Sequence, residues 1–334
     1  GAKIDISRLM GRINELAKVG AIDGGGNTRL ALSDADKAGR DLVVGWMTAL
    51  GLDVSMDGIG NIVGLGAGHD GGAPVIMGSH IDTVVAGGRY DGALGVLAGL
   101  EVVEALNDAA VSTRHPLAVA FFSNEEGARF APDMMGSLVA AGGLPLDQAL
   151  DSVGIDGARL GDELARIGYA GRAGDFPPDI RAYIELHVEQ GPVLDREDLT
   201  IGAVEGVQGI SWNEFTIKGS ANHAGTTPMN LRQDAALGAA AITQFVRDLA
   251  NRMGPDQVAT VGRIDLAPNL TNVIAGRATV TVDLRNTSDS ALESAENALF
   301  EFTGELAASE GLAIEHRQLA RFDPVDFDPE LVTL

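Results

Sequence analysis

Six consecutive residues without a polar side chain, Leu117-Ala118-Val119-Ala120-Phe121-Phe122, constrain the fold of this chain more than any other feature. A strand wetted on one face alternates apolar and polar residues. One that does not alternate must be covered on both faces, as in a parallel sheet flanked by helices. Neighbouring segments agree. Residues 61–65 and 74–79 read as short strands, and residues 180–186 as another. Helices are expected over residues 4–19, 33–50 and 92–106. Ser33 and Asp34 mark the start of the second, Val43, Val44, Met47 and Leu50 recur in it at helical spacing, and Gly95 and Gly99 allow the third to pack closely. This alternation predicts an α/β layer with a mixed, largely parallel sheet.

From about residue 209 the rhythm changes. Strand 210–218, helix 231–252, strands 257–265 and 273–285, helix 290–309 and strand 312–319 follow in order, the βαββαβ plan of ferredoxin-like domains. Ser290-Ala-Leu-Glu293 has the pattern of a capping box. At 334 residues the chain exceeds what one core usually serves. Two domains are therefore expected: residues 1–208, rejoined by 320–334, and an inserted second domain over 209–319.

A formal net charge of −23 repels phosphate backbones and anionic lipid, which argues against nucleic-acid and membrane partners. No apolar run approaches the roughly 18 residues of a membrane-spanning helix. The N-terminal residues lack a basic stretch followed by an apolar block, so a cytoplasmic address is expected. With no cysteine, disulfides, thiol nucleophiles and sulfur-bound zinc are excluded, and His, Asp and Glu are the remaining strong metal ligands.

Those residue types gather where strands end. Gly78-Ser79-His80-Ile81-Asp82-Thr83 closes one strand, and Asp91 follows at the start of a helix among glycines, in a loop able to return its carboxylate to His80. Asp82 lies where it could accept a hydrogen bond from the second imidazole nitrogen and fix the tautomer. Taken alone, such a histidine is better read as structural. Glu125-Glu126 terminates the all-apolar strand. Two acids there either sit in solvent or share a site in which one ligates metal and its neighbour takes a proton from water. Ile184-Glu185-Leu186-His187-Val188-Glu189-Gln190-Gly191-Pro192 is a third strand end with ligand-type residues. In open α/β sheets, sites form at the carboxyl ends of strands, so three such ends make coincidence a poor explanation.

His80-x-Asp82, Asp91, Glu125-Glu126 and His187 resemble the di-zinc aminoacylase and carboxypeptidase superfamily of metallopeptidases. More narrowly, Gly-Ser-His-Ile-Asp-Thr-Val, Asn-Glu-Glu-Gly-Ala-Arg-Phe, Leu-His-Val-Glu-Gln-Gly-Pro and Asn-His-Ala-Gly-Thr-Thr-Pro-Met resemble its hydantoinase/carbamoylase branch. That branch includes N-carbamoyl-L-amino-acid hydrolases, β-ureidopropionases and allantoate amidohydrolases, and the resemblance covers almost the whole chain. It implies that His80, Asp91 and His187 hold one divalent metal and that Asp91 bridges to a second, also bound by Glu126. Glu125 would be the general base and His223 the group that stabilises the oxyanion. Asn272 and Arg285, with Gln190 as a further candidate, would grip the substrate carboxylate. For Arg232 and Asp234, an ion pair or helix cap is at least as good a reading as catalysis.

The resemblance further implies metal-assisted hydrolysis of a C–N bond in a small carbamoyl or ureido amino acid by a homodimer paired through a lid domain. Zinc is expected, with manganese, cobalt or nickel also accommodated by such ligands. The alternative substrate is allantoate or ureidoglycolate; a peptidase, an aminoacylase or a catalytically silent binding protein is less favoured. The family supplies one more histidine ligand after the lid, which has no counterpart in this sequence. One metal is therefore expected to bind more firmly than the other, and His69, His115 and His316 are not expected to be ligands.

Overall fold

The computed structural model describes residues 1–334, which divide into two compact units, Gly1–Pro192 and Val193–Leu334. In the first unit, helices α1 (Ile6–Leu16) and α2 (Asp34–Ala49) precede strands β1 (Asp53–Met56), β2 (Ile62–Leu65) and β3 (Val75–His80). Helix α3 (Ala93–Asp108), strand β4 (Leu117–Phe122), helices α4 (Met135–Ala140) and α5 (Leu160–Ile167) and strand β5 (Ala182–Ile184) follow. The sheet runs β1-β2-β4-β3-β5. As its composition requires, β4 is central, and Ala118, Val119, Ala120 and Phe121 are fully buried. Each large apolar side chain so covered contributes about 1.5–3 kcal/mol relative to exposure.

The expectation of a largely parallel sheet needs correction. β3 runs parallel to both β4 and β5, but β1–β2 and β2–β4 are antiparallel. The cause is a hairpin between β1 and β2, closed at Met56 and Ile62 around Asp57, whose carboxylate accepts the Ile59 and Asn61 amides. Strand β1 itself is not evident in the sequence. The parallel pairs set the height of the site: His80 stands opposite Phe122, and Met77 opposite Ile184. Three residues past Met77 and Ile184 come His80 and His187.

In the second unit a short strand β6 (Gly206–Val207) precedes β7 (Gly209–Lys218), α6 (Ala235–Met253), β8 (Val258–Ala267), β9 (Arg277–Asn286), α7 (Asp289–Glu310) and β10 (Ala313–Phe322). The antiparallel sheet runs β8-β9-β7-β10. One face is apolar: Phe215, Ile217, Ala278, Val280, Val282 and Leu284 pack with Ile242, Val246, Leu292 and Leu299 of the helices. A final strand β11 (Val325–Asp326) pairs with β6 through Val325 and Val207, so residues 193–208 and 320–334 group with this unit. That differs from the division at 208/209 expected from sequence.

The cap of α7 is also corrected. Ser288, not Ser290, is the N-cap, with Oγ accepting the Ala291 amide at 3.4 Å, because the helix already begins at Asp289. Ser288→Ala is expected to cost about 1 kcal/mol in chemical denaturation, and Ser290→Ala much less. Equal effects would count against this boundary.

Candidate metal centre

The three strand ends meet. His80 is 4% exposed, and its Nδ1 faces the Asp82 carbonyl oxygen at 2.9 Å; His187 Nδ1 faces the Val188 carbonyl oxygen at 2.8 Å. A carbonyl oxygen can only accept, so both rings carry a proton on Nδ1, and in its neutral form each presents the Nε2 lone pair. Both Nε2 atoms point to one oxygen, Asp91 Oδ1, at 3.8 Å from His80 and 3.3 Å from His187. That oxygen is buried and has no hydrogen-bond partner. A lone buried acceptor between two imidazole lone pairs is unfavourable without a cation. The ligand atoms of this trio lie within 4.8 Å of one another, which fits a divalent metal ion.

Local sequence explains how Asp91 gets there. Gly92 has φ +67, and a Cβ on it would lie 2.5 Å from ring atoms of His80. Only glycine lets the start of α3 lie flat against the imidazole and bring the preceding carboxylate beneath it. Asp91 Oδ2 accepts from Gln190 Nε2 at 2.7 Å, and Gln190 itself is in the left-handed region at φ 57. Gln190, expected to contact substrate, is thus engaged in orienting Asp91.

Asp82 also differs from expectation. Its carboxylate is not the imidazole's hydrogen-bond partner; the backbone carbonyl takes that place, and Oδ1 stays 3.8 Å from His80 Nδ1. The chain turns after His80, which swings the carboxylate toward the next strand end. There Oδ1 accepts the Glu125 amide and Oδ2 the Glu126 amide, each at 3.2 Å. Asp82 therefore ties the exit of β3 to the tandem glutamates after β4.

Glu125 Oε2 accepts from Ser137 Oγ of α4 at 3.1 Å. Burial pushes the Glu125 carboxyl up to about 7, with His80 pulling it down and Asp82 adding to the rise. Burial also raises Glu126, again against His80, with Asp91 and Asp82 raising it further. Glu126 borders the trio without joining it. Beside Glu125 lies a cavity of about 510 Å³ lined by Ser79, Phe122, Ser137, Tyr183 and Glu185 among others. Ser137 and Glu185 line this cavity, and neither was assigned a role from the sequence.

A carboxyl whose folded pKa is raised favours folding below its ordinary 4.5, and that contribution is lost as pH rises toward about 7. With a chelator present, Glu125→Gln is accordingly expected to be more stable than the parent at pH 8, by up to about 3 kcal/mol, with the gap closing at pH 4. Urea denaturation at both pH values tests this, and a gap independent of pH would refute it.

In the second unit, His223 Nδ1 accepts from the Gly225 and Thr226 amides at 3.0 and 3.2 Å, which leaves Nε2–H as an exposed donor. Ala224 N donates to the Asn272 carbonyl oxygen at 3.0 Å, so the His223 and Asn272 loops are neighbours. Arg232 braces the same loop through the carbonyl oxygens of Ala224 and Thr227, and Asp234 is the N-cap of α6. Arg285 is engaged with Asp283, Nη2 to Oδ2 at 2.9 Å. His316 Nε2 bonds Asn213 Oδ1 at 2.7 Å between Phe215 and Phe300 and belongs to no metal cluster.

An α/β unit with a His-Asp-His cluster at the carboxyl ends of parallel strands is the framework of a metal-dependent hydrolase, and the chain belongs to peptidase family M20/M25/M40, whose family model matches residues 76–323. Within that family it is similar to amidases rather than only to peptidases. It is 40% identical over 331 residues to an N-carbamoyl-L-amino-acid amidohydrolase of Rhizobium meliloti, covering 99% of this chain and 80% of that one. A Geobacillus stearothermophilus protein of the same name is 42% identical over 284 residues, 84% of this chain and 69% of that protein. Among solved structures, a hydantoinase/carbamoylase family amidase from Burkholderia multivorans superposes with a TM-score of 0.93 at 45% identity, covering 99% of this chain and 81% of that one.

Proposed function

We propose that this chain hydrolyses N-carbamoyl-L-amino acids to the amino acid, carbon dioxide and ammonia at a metal centre held by His80, Asp91 and His187. The observation that carries the reading is the partnerless Asp91 Oδ1 faced by two imidazole lone pairs. When bound, a divalent cation polarises the carbamoyl oxygen and lowers the pKa of water. Zinc is the proposed ion; a second would be held by Asp91 and Glu126. Since Asp91 Oδ2 is engaged by Gln190, that second ion is expected to bind less firmly.

Glu125, with a carboxyl that titrates near neutrality, is suited to take a proton from the attacking water and pass it to the leaving amine. The C–N bond breaks with the electron pair leaving on the amino acid nitrogen, and the carbamate released decomposes to carbon dioxide and ammonia. Asp82 holds the Glu125 backbone in place. His223, presenting Nε2–H, is the proposed donor to the oxyanion, and Asn272 and Arg285 the proposed grip on the substrate carboxylate, for which Arg285 would exchange its bond to Asp283. We further read residues 209–319 as a ferredoxin-like lid through which two copies pair, the unit Gly1–Pro192 as the catalytic one, and the cytoplasm as its address. Support for the lid lies in the β8-β9-β7-β10 order with helices on one face.

Ammonia release from N-carbamoyl-L-amino acids, N-carbamoyl-β-alanine and allantoate, and release of the free amino acid from N-acetyl amino acids, with zinc or manganese added, test the reading. Turnover is expected with the N-carbamoyl-L-amino acids. Turnover of allantoate alone would replace the proposed substrate, and deacetylation alone would overturn the reaction class.

A further inference from the structure

We infer that Arg29 is a positioning residue for the metal centre, setting where His80 and Asp82 stand by tying the exit of β3 to the end of α1. The inference rests on the metal site proposed above. Arg29 is 1% exposed, and its guanidinium donates to carbonyl oxygens: Nε to Ile81 at 2.7 Å, Nη1 to Val19 at 2.7 Å and to Leu16 at 3.2 Å. Ile81 separates the ligand His80 from Asp82. Two residues on, Thr83 is gripped by the Arg29 main chain, its Oγ1 accepting the Arg29 amide and its amide donating to the Arg29 carbonyl oxygen, both at 2.9 Å. The turn that carries His80 and Asp82 is thus pinned at Ile81 and Thr83 by one residue.

Burying a guanidinium against neutral oxygens is costly, and an apolar side chain would fill the space with less penalty. Burial works against the Arg29 charge, and the carboxylates that favour it are Asp36 and Asp82. The fork fixes a spacing that a methylene chain could not: its planar donors reach α1 and the metal loop at once. Helix α2 is shaped around it, since a Cβ on Gly39 would lie 2.9 Å from Arg29 Cδ.

The test compares the full chain with Arg29→Lys and Gly39→Ala. Metal-free samples are titrated with zinc against a chromophoric chelator and unfolded by heat in parallel, and kcat and KM are measured at saturating zinc. Arg29→Lys is expected to weaken zinc binding about 10–100-fold, the range for groups that orient ligands. It should also lower kcat with little change in KM while the metal-free melting temperature stays within a few degrees. Gly39→Ala, which crowds the same side chain without removing it, is expected to shift zinc affinity in the same direction, and decides the matter if Arg29→Lys does not fold. Wild-type zinc affinity and kcat in a folded variant would overturn the inference, as would losses no larger than the loss of folded protein. A parent chain that binds no zinc would overturn the metal reading itself, a result distinguishable from either of these.

Discussion

Glutamine in place of Glu125 is expected to lower kcat for ammonia release by about 10²–10⁴-fold, the usual contribution of a positioned general base. The substitution preserves shape. It keeps the backbone amide that Asp82 accepts and a side-chain oxygen for Ser137, and it removes only the capacity to take a proton. Since Glu125 is outside the His80–Asp91–His187 trio, zinc content should be unchanged. KM should move little if the substrate carboxylate is gripped elsewhere. Steady-state kinetics at saturating zinc give the answer, and a variant retaining more than a tenth of the parent kcat would remove Glu125 from the chemistry.

Asp91→Ala is expected to weaken zinc binding by more than about 100-fold, beyond the range for removing a group that merely orients a ligand. Oδ1 is the one atom that both imidazoles face, and without it the two Nε2 atoms have no anionic partner between them. Gln190→Ala, which frees only Oδ2, should cost less. Competition with a chelator measures both. Parent-like zinc affinity in Asp91→Ala would place the metal elsewhere.

Much of this was legible in the sequence because the signals are local. The unbroken apolar run of β4 demands burial on both faces, and the alternation of Ala278, Val280, Val282 and Leu284 in β9 demands one buried face. Ligand-type residues at strand ends are local too, and together with Asp91 they carry the family resemblance that implied His80, Asp91 and His187 as one ligand set. What stayed hidden depends on where distant groups arrive. The His80-x-Asp82 spacing does not reveal which oxygen of Asp82 meets the imidazole, since that is decided by the turn after β3 and by amides 43 and 44 residues away. Gln190 and Asp91 are 99 positions apart, and nothing in either segment announces the pairing. Arg29 looks like any loop arginine until β3 and α1 close around it. Strand β1 escaped because Asp53-Val54-Ser55-Met56, although it alternates polar and apolar residues, is only four residues long and too short for the period to stand out.

The parallel register between β3 and β5 has a consequence for the lifetime of the protein. His187 reaches the height of His80 only once that pairing has closed across the intervening hundred residues, so an unfolded chain offers the ions no comparable trio. An ion that binds only the folded form stabilises it by mass action, by about 2.7 kcal/mol when its free concentration is a hundred times Kd. Resistance to proteolysis in the first unit should therefore track the free metal concentration around it, making metal supply a determinant of abundance as well as of activity.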